Sequence, residues 1–257
     1  MKKSMHILWL LLLVPLLASA QDAPQYTLFE NFYLTPKNGH AAKLEAAMKA
    51  HNKKWHGPGA YQAQVYSVMN GPNAGKLVWS MGPSSWERHE NRPQDAAHDS
   101  DWDMNIAPHI ESYDATDYFS LDPEISYFPG PFDLNRLRLW MIDLNDGKEN
   151  QFRAFMKRIT KVAAENDSKI PHGVYWRQFA GTNPPDVGIV WFFDSLEWFD
   201  QESPFPGWYD AMYGEGAFEL MIDEWEGIRK SVDVEIWTFD PDMSGHDGKG
   251  VNRASGN

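Results

Sequence analysis

The chain has no cysteine among its 257 residues. That excludes disulfides, thiolate metal sites and a cysteine nucleophile, so stability must come from the core. Cationic residues are scarce: 23 Lys and Arg stand against 36 Asp and Glu, a formal net charge of −13. A surface that acidic, with no Lys/Arg run to offset it, repels nucleic acid and anionic lipid, so no nucleic-acid partner is expected. Beyond the N-terminus no segment approaches the roughly 20 apolar residues that span a bilayer. A Gly-rich phosphate loop, a G-x-S-x-G elbow and an H-E-x-x-H zinc motif are all missing. Asp99, Asp101 and Asp103 fail as a calcium loop, because Met104 stands where glycine is needed and Ile110 where the closing glutamate is needed. These acids are expected in a solvated loop that caps the next helix. No metal site is expected.

What is present begins with a leader. Lys2 and Lys3 precede the apolar run Ile7 to Leu17, and Ala18-Ser19-Ala20 forms a small-residue cleavage site. Residues 1–20 therefore read as a signal peptide, which implies a periplasmic or secreted protein with no membrane insertion after cleavage. Twelve tryptophans imply large buried ring surfaces or an aromatic-lined pocket.

The chain also repeats itself. Leu77 to Met81 is echoed by Ile189 to Phe193, Ser85-Trp86 by Glu197-Trp198, and Tyr118 to Pro123 by Ile236 to Pro241. Each copy reads β-α-β-β-α-β. In the first, strands fall at 27–35, 61–69, 77–81 and 118–121; a helix carries Ala41, Leu44, Met48, His51 and Trp55. A short helix surrounds Trp86, and a second helical stretch carries Trp102, Ile106, Ile110 and Tyr113. In the second copy, strands fall at 138–144, 174–179, 187–193 and 232–239, with a hairpin turn at 182–185. The helix stripes are Phe152, Phe155, Ile159 and Val162, then Leu220, Met221, Trp225 and Ile228. The expected organisation is a signal peptide (1–20), a first module (21–122), a linker (123–135), a second module (136–241) and a disordered tail (242–257). The fold class is α+β: two tandem ferredoxin-like modules packed sheet to sheet as an intramolecular barrel, either a monomeric pseudo-dimer or a weak homo-oligomer.

Several residues admit two readings. His51 lies on an apolar helix stripe and reads as a core histidine with one hydrogen-bond partner. Glu30, Gln62, Gln64, Asp143, Arg177 and Glu235 are polar positions on apolar strands; they either form ion pairs across the sheets or line a wet cavity. Ser203 to Tyr209 reads as a packed loop, with a lid as the other possibility.

The stretch Phe29 to Gly39, with its Glu30-Asn31 pair and glycine turn, resembles the opening strand of the dimeric α+β barrel superfamily, in particular its antibiotic-biosynthesis-type and haem-degrading monooxygenases. Leu77 to Trp79 with Trp86 resembles their third strand and following helix. The resemblance covers 27–121 and, more loosely, 136–241. It implies that Asn31 lies over a haem, His89 where a porphyrin-contacting tryptophan stands, and His98 near the axial histidine. The acids Asp99, Asp101 and Asp103 depart from that pattern, as does Met141 opposite Asn31 in the second copy.

The functional expectation is a protein that binds a small apolar or aromatic ligand between sheet and helices. Its alternative is a monooxygenase-like enzyme, cofactor-free or haem-dependent, with its site in the first module. The catalytic candidates are Asn31 and His89, the cofactor ligand His98, and the ligand-binding residues Phe29, Tyr33, Trp79 and Trp86. The cofactor is left open, with none favoured over haem.

Overall fold

The computed structural model describes residues 26–179 and 185–252. The expected signal peptide and most of the 182–185 turn lie outside these residues. Among the described residues, no helix is long and apolar enough to cross a membrane.

Nine strands form one sheet: β1 (Leu28–Pro36), β2 (Ala63–Val68), β3 (Leu77–Ser84), β4 (Ile110–Tyr113), β5 (Asp117–Leu121), β6 (Arg136–Leu144), β7 (His172–Arg177), β8 (Val187–Phe193) and β9 (Arg229–Phe239). Their order is β3-β2-β9-β6-β8-β7-β5-β1, and β1 pairs antiparallel with β3, so eight strands close a barrel. β4 continues the sheet beside the far end of β1, where β5 stops. The expected intramolecular barrel is present, but its two halves do not merely lie face to face. The edges hydrogen-bond instead, through Tyr66 opposite Phe239 on one seam and Phe119 opposite Arg177 on the other. Closure satisfies edge N–H and C=O groups that two stacked sheets would leave open.

Six helices lie outside the barrel: α1 (Ala41–Trp55), α2 (Trp86–Glu90), α3 (Ala96–Asp101), α4 (Glu149–Glu165), α5 (Phe205–Tyr213) and α6 (Ala217–Ile228). Strand alternation sorts the side chains into three cores. Phe29, Tyr66, Leu137, Leu139, Tyr175, Phe192 and Trp237 fill the barrel interior. Leu34, Leu44, Met48, Val65, Trp79 and Ile106 lie under α1. Phe152, Phe155, Met156, Ile189, Met221 and Trp225 lie under α4 and α6.

Four elements differ from expectation. Ile110 and Tyr113 belong to strand β4, because Pro108 ends the helical path in a 3-10 turn (Ala107–His109). The stretch Ser203–Tyr209, expected as a packed loop, instead opens α5 (Phe205–Tyr213); Pro206 in its first turn fixes a helical φ where no N–H is required. Leu220, expected inward, is 69% exposed, while Met221, Trp225 and Ile228 of the same helix are buried. The tail is not disordered over 242–252: Met243 and Ser244 are buried, Ser244 Oγ accepts from Val65 N at 2.9 Å, and Val251 bridges to Phe132. The linker is likewise packed, with Ile125 and Leu134 buried.

Candidate functional site

One cavity lies outside the barrel in the C-terminal half. It has a volume of about 550 Å³ between the β6/β8 surface and the helices α4, α5 and α6. Five tryptophans line it, Trp140, Trp191, Trp198, Trp208 and Trp225, together with Phe155 of α4 and Phe205 of α5. Local sequence explains the wall. Trp140 and Trp191 sit on neighbouring strands with ring centroids 5.1 Å apart, and Trp225 projects from α6 to stack on Phe155 at 5.4 Å. Bulky rings at the junction of strand and helix prop the layers apart, and α5 closes the side.

Ser168, Lys169, Gln201 and Ser203 also line it, and two further polar groups are buried in the wall. The Trp140 Nε1–H is buried and has no hydrogen-bond partner among the described residues. Such a donor is costly to leave unpaired, so it marks a place for an acceptor. His172, at the start of β7, is buried, and burial pushes its pKa down to about 4, so it is neutral. The Thr160 hydroxyl donates to Ile125 O at 3.0 Å, so at 3.1 Å it accepts from His172 Nε2–H.

A smaller cavity, about 110 Å³, lies inside the barrel and is lined by Phe29, Asn31, Tyr33, Gln64, Tyr66 and Asp117, among others. Asn31 Oδ1 is buried there without a partner. Glu235 is 0% exposed and accepts from Tyr33 Oη at 3.0 Å and Trp237 Nε1 at 2.7 Å. Burial, then the Glu235 charge, raise the Tyr33 phenol far above its usual range.

The residues expected to share a site do not. Phe29, Asn31 and Tyr33 face the barrel interior, whereas Trp79 faces α1 on the opposite side of the sheet. Trp86 is 43% exposed and packs on Tyr118 and Phe179. His89 lies against Tyr118 and Arg92, 3.6 Å from Glu30. His98 joins neither group. The set implied for haem is therefore split over separate faces and does not fit one porphyrin. The two-residue strand period explains this, since Asn31 points into the barrel while its neighbour Glu30, which lies beside His89, points outward. The polar strand positions separate too: Arg177 pairs with Asp117, Asp143 with Lys230 and Glu30 with Arg92.

His98 meets His51 and His56. His56 Nε2 lies 3.1 Å from His98 Nε2, and one ring nitrogen from each of the three lies within 4.8 Å of the others. Burial lowers the pKa of His51, and that of His56 to about 4. His51 is a buried histidine with Asp101 as its hydrogen-bond partner, as expected, and it also belongs to this cluster. The spacing gave little warning, because His98 comes from a separate helix. Asp99 and Asp101, expected in a capping loop, lie within α3; its N-cap is Asp95.

The fold and cavity define a closed antiparallel α+β barrel with an aromatic pocket under its C-terminal helices. No protein-family model and no curated protein matches the chain. Solved structures share the fold. A "putative monooxygenase" from Lactobacillus acidophilus NCFM is 12% identical with a TM-score of 0.55, covering 87% of this chain and 98% of its own. A second protein of that description, from Fusobacterium nucleatum, is 9% identical at a TM-score of 0.54, covering 88% and 96%. An anthrone oxidase-like protein is 9% identical at a TM-score of 0.50, covering 84% and 92%. At such identities the likeness is one of fold.

Proposed function

We propose that the protein binds a flat aromatic molecule carrying a carbonyl or hydroxyl oxygen in the C-terminal cavity, and oxidises it as a monooxygenase-like enzyme. The observation that carries the binding is the tryptophan-walled cavity with the unpartnered Trp140 N–H among its lining side chains. Aromatic walls reward a planar ring system, and the spare donor rewards an oxygen acceptor. The names of the structural neighbours favour turnover over simple carriage of the ligand. The pocket proposed here lies in the second half of the chain, whereas the resemblance implies the first.

In this reading the substrate supplies the electrons: a CH₂ flanked by aromatic rings loses four electrons to dioxygen and becomes a carbonyl, releasing one water. We also infer that the barrel descends from two ferredoxin-like copies. Residues 28–121 contribute the strand order β5-β1-β3-β2, and residues 136–239 contribute β9-β6-β8-β7, which is the same order by position. The chain is then a monomeric pseudo-dimer acting outside the cytoplasm after loss of residues 1–20.

The test is oxygen uptake with anthrone as probe. Catalysed conversion to anthraquinone, lost in Ala163→Phe, which fills the cavity from α4, supports the proposal. A rate equal to that of buffer, or unchanged in Ala163→Phe, contradicts it.

A further inference from the structure

His51, near the end of α1, His56, which caps it, and His98 on α3 bring three imidazoles to one point. Their outer nitrogens are all committed. His51 Nδ1 lies 2.7 Å from Asp101 Oδ2, a carboxylate oxygen that also accepts from Trp55 Nε1 at 3.3 Å, while Asp101 Oδ1 accepts from Asn105 Nδ2 at 2.8 Å. His56 Nδ1 lies 2.9 Å from the Tyr61 carbonyl, and His98 Nδ1 lies 3.0 Å from Asp99 Oδ1. Carbonyls and carboxylates only accept, so each Nδ1 is the donor. In the neutral ring each Nε2 is then a bare lone pair.

Three imidazoles, two of them buried, bring one ring nitrogen each within 4.8 Å of the others, and lone pairs facing one another repel unless a cation sits between them. A single proton shared by His56 and His98 would join two nitrogens and leave the third. That third nitrogen, His51 Nε2, belongs to a side chain 1% exposed and has no partner. A metal ion satisfies all three at once.

We propose that His51, His56 and His98 bind a divalent transition-metal ion of the kind that prefers imidazole, zinc or copper(II). Metal-ligating histidines characteristically donate their other N–H to a carboxylate or a backbone carbonyl, which fixes the tautomer and strengthens the ligand; here all three do. Metal–nitrogen bonds of about 2.0 Å in a tetrahedron put the ligand atoms roughly 3.3 Å apart, so no pair need close by more than about 1.5 Å on binding. The His56–His98 pair, at 3.1 Å, is already there. The local backbone is built for this convergence: α3 runs into a π-helical turn (Trp102–Ile106), which sets Trp102 beside His51 with ring centroids 5.3 Å apart. Three protein ligands leave a tetrahedral ion one position for water or a small anion. The site sits with α1 and α3 of the N-terminal half, apart from the tryptophan cavity, so either proposal can fail alone.

The test uses tag-free full-length mature protein, stripped with chelator and titrated with Co²⁺ as a spectroscopic probe, then with Zn²⁺ in competition. One ion per chain, with the intense visible bands of tetrahedral cobalt, is expected. His98→Ala, at the most exposed of the three ligands, should weaken binding at least 100-fold while leaving the far-ultraviolet circular dichroism of the metal-free protein unchanged. Asp101→Asn should weaken it about 10-fold to 100-fold by releasing His51 Nδ1. His109→Ala, in the separate His40–His109 pair, should change nothing. Binding that persists in His98→Ala, or is lost only in His109→Ala, overturns the proposal, as does no cobalt spectrum at millimolar ion.

Discussion

Glu235 is the most tightly held acid in the barrel: it accepts from Tyr33, Trp237 and Asn73, all contributed from around one buried point. Glu235→Ala strands those donors and should cost about 2–4 kcal/mol in urea unfolding, with Glu235→Gln costing less because it keeps the acceptor oxygen. His172 gives a pH dependence of definite sign. Its folded pKa of about 4 lies below the ordinary value of 6.5, so the unfolded chain takes up the proton first. Stability is therefore full above about pH 6.5 and falls as pH drops toward 4, with about 2 kcal/mol lost by pH 5. Comparing urea midpoints at pH 7 and pH 5 checks this: His172→Gln should lose less than the wild type, and an equal loss would contradict the assignment. At this scale the sequence was least informative. Asn31 and Trp79 both look like site residues, but only pairing partners reveal that they face opposite sides of the sheet. His51 is core as its helix stripe implies, but its neighbours His98 and Asp101 come from α3, far along the chain, so the cluster was not legible.

Amphipathic elements were legible where one stripe meets one surface. α4 shows Phe152, Phe155 and Val162 at helical spacing, and all three are buried. Phe152→Ala should cost about 3–5 kcal/mol, since the surrounding rings cannot collapse into the space. Elements set by their neighbours were not legible. β4 has a helical spacing of apolar residues but pairs with β1, and the polar tail is held by contacts its composition does not announce. Gly245 illustrates the second case: a side chain there would collide with the His56 carbonyl. Gly245→Val should lower the thermal midpoint measurably, whereas a tail free in solvent would tolerate it.

At the scale of the whole molecule, each half of the chain contributes four strands to one closed barrel. Each half's inward face carries large apolar side chains, such as Phe29 and Tyr66 in one and Leu139 and Phe192 in the other. Two seams join them through the backbone, so the halves should unfold together in a single transition, with fluorescence and circular dichroism coinciding. What composition could not place was the pocket. Twelve tryptophans imply an aromatic wall somewhere, but only the packing of α5 and α6 over β6 and β8 gathers five of them around one cavity.

The most direct measurement is a tryptophan-fluorescence titration of residues 21–257 with anthraquinone, run beside Trp140→Phe and Ala163→Phe. Saturable quenching at one ligand per chain is predicted, about 5-fold to 10-fold weaker when Trp140→Phe removes the N–H but keeps an aromatic ring. Ala163→Phe should abolish it. Quenching that does not saturate, or that both variants leave unchanged, would contradict an aromatic-binding site under the C-terminal helices.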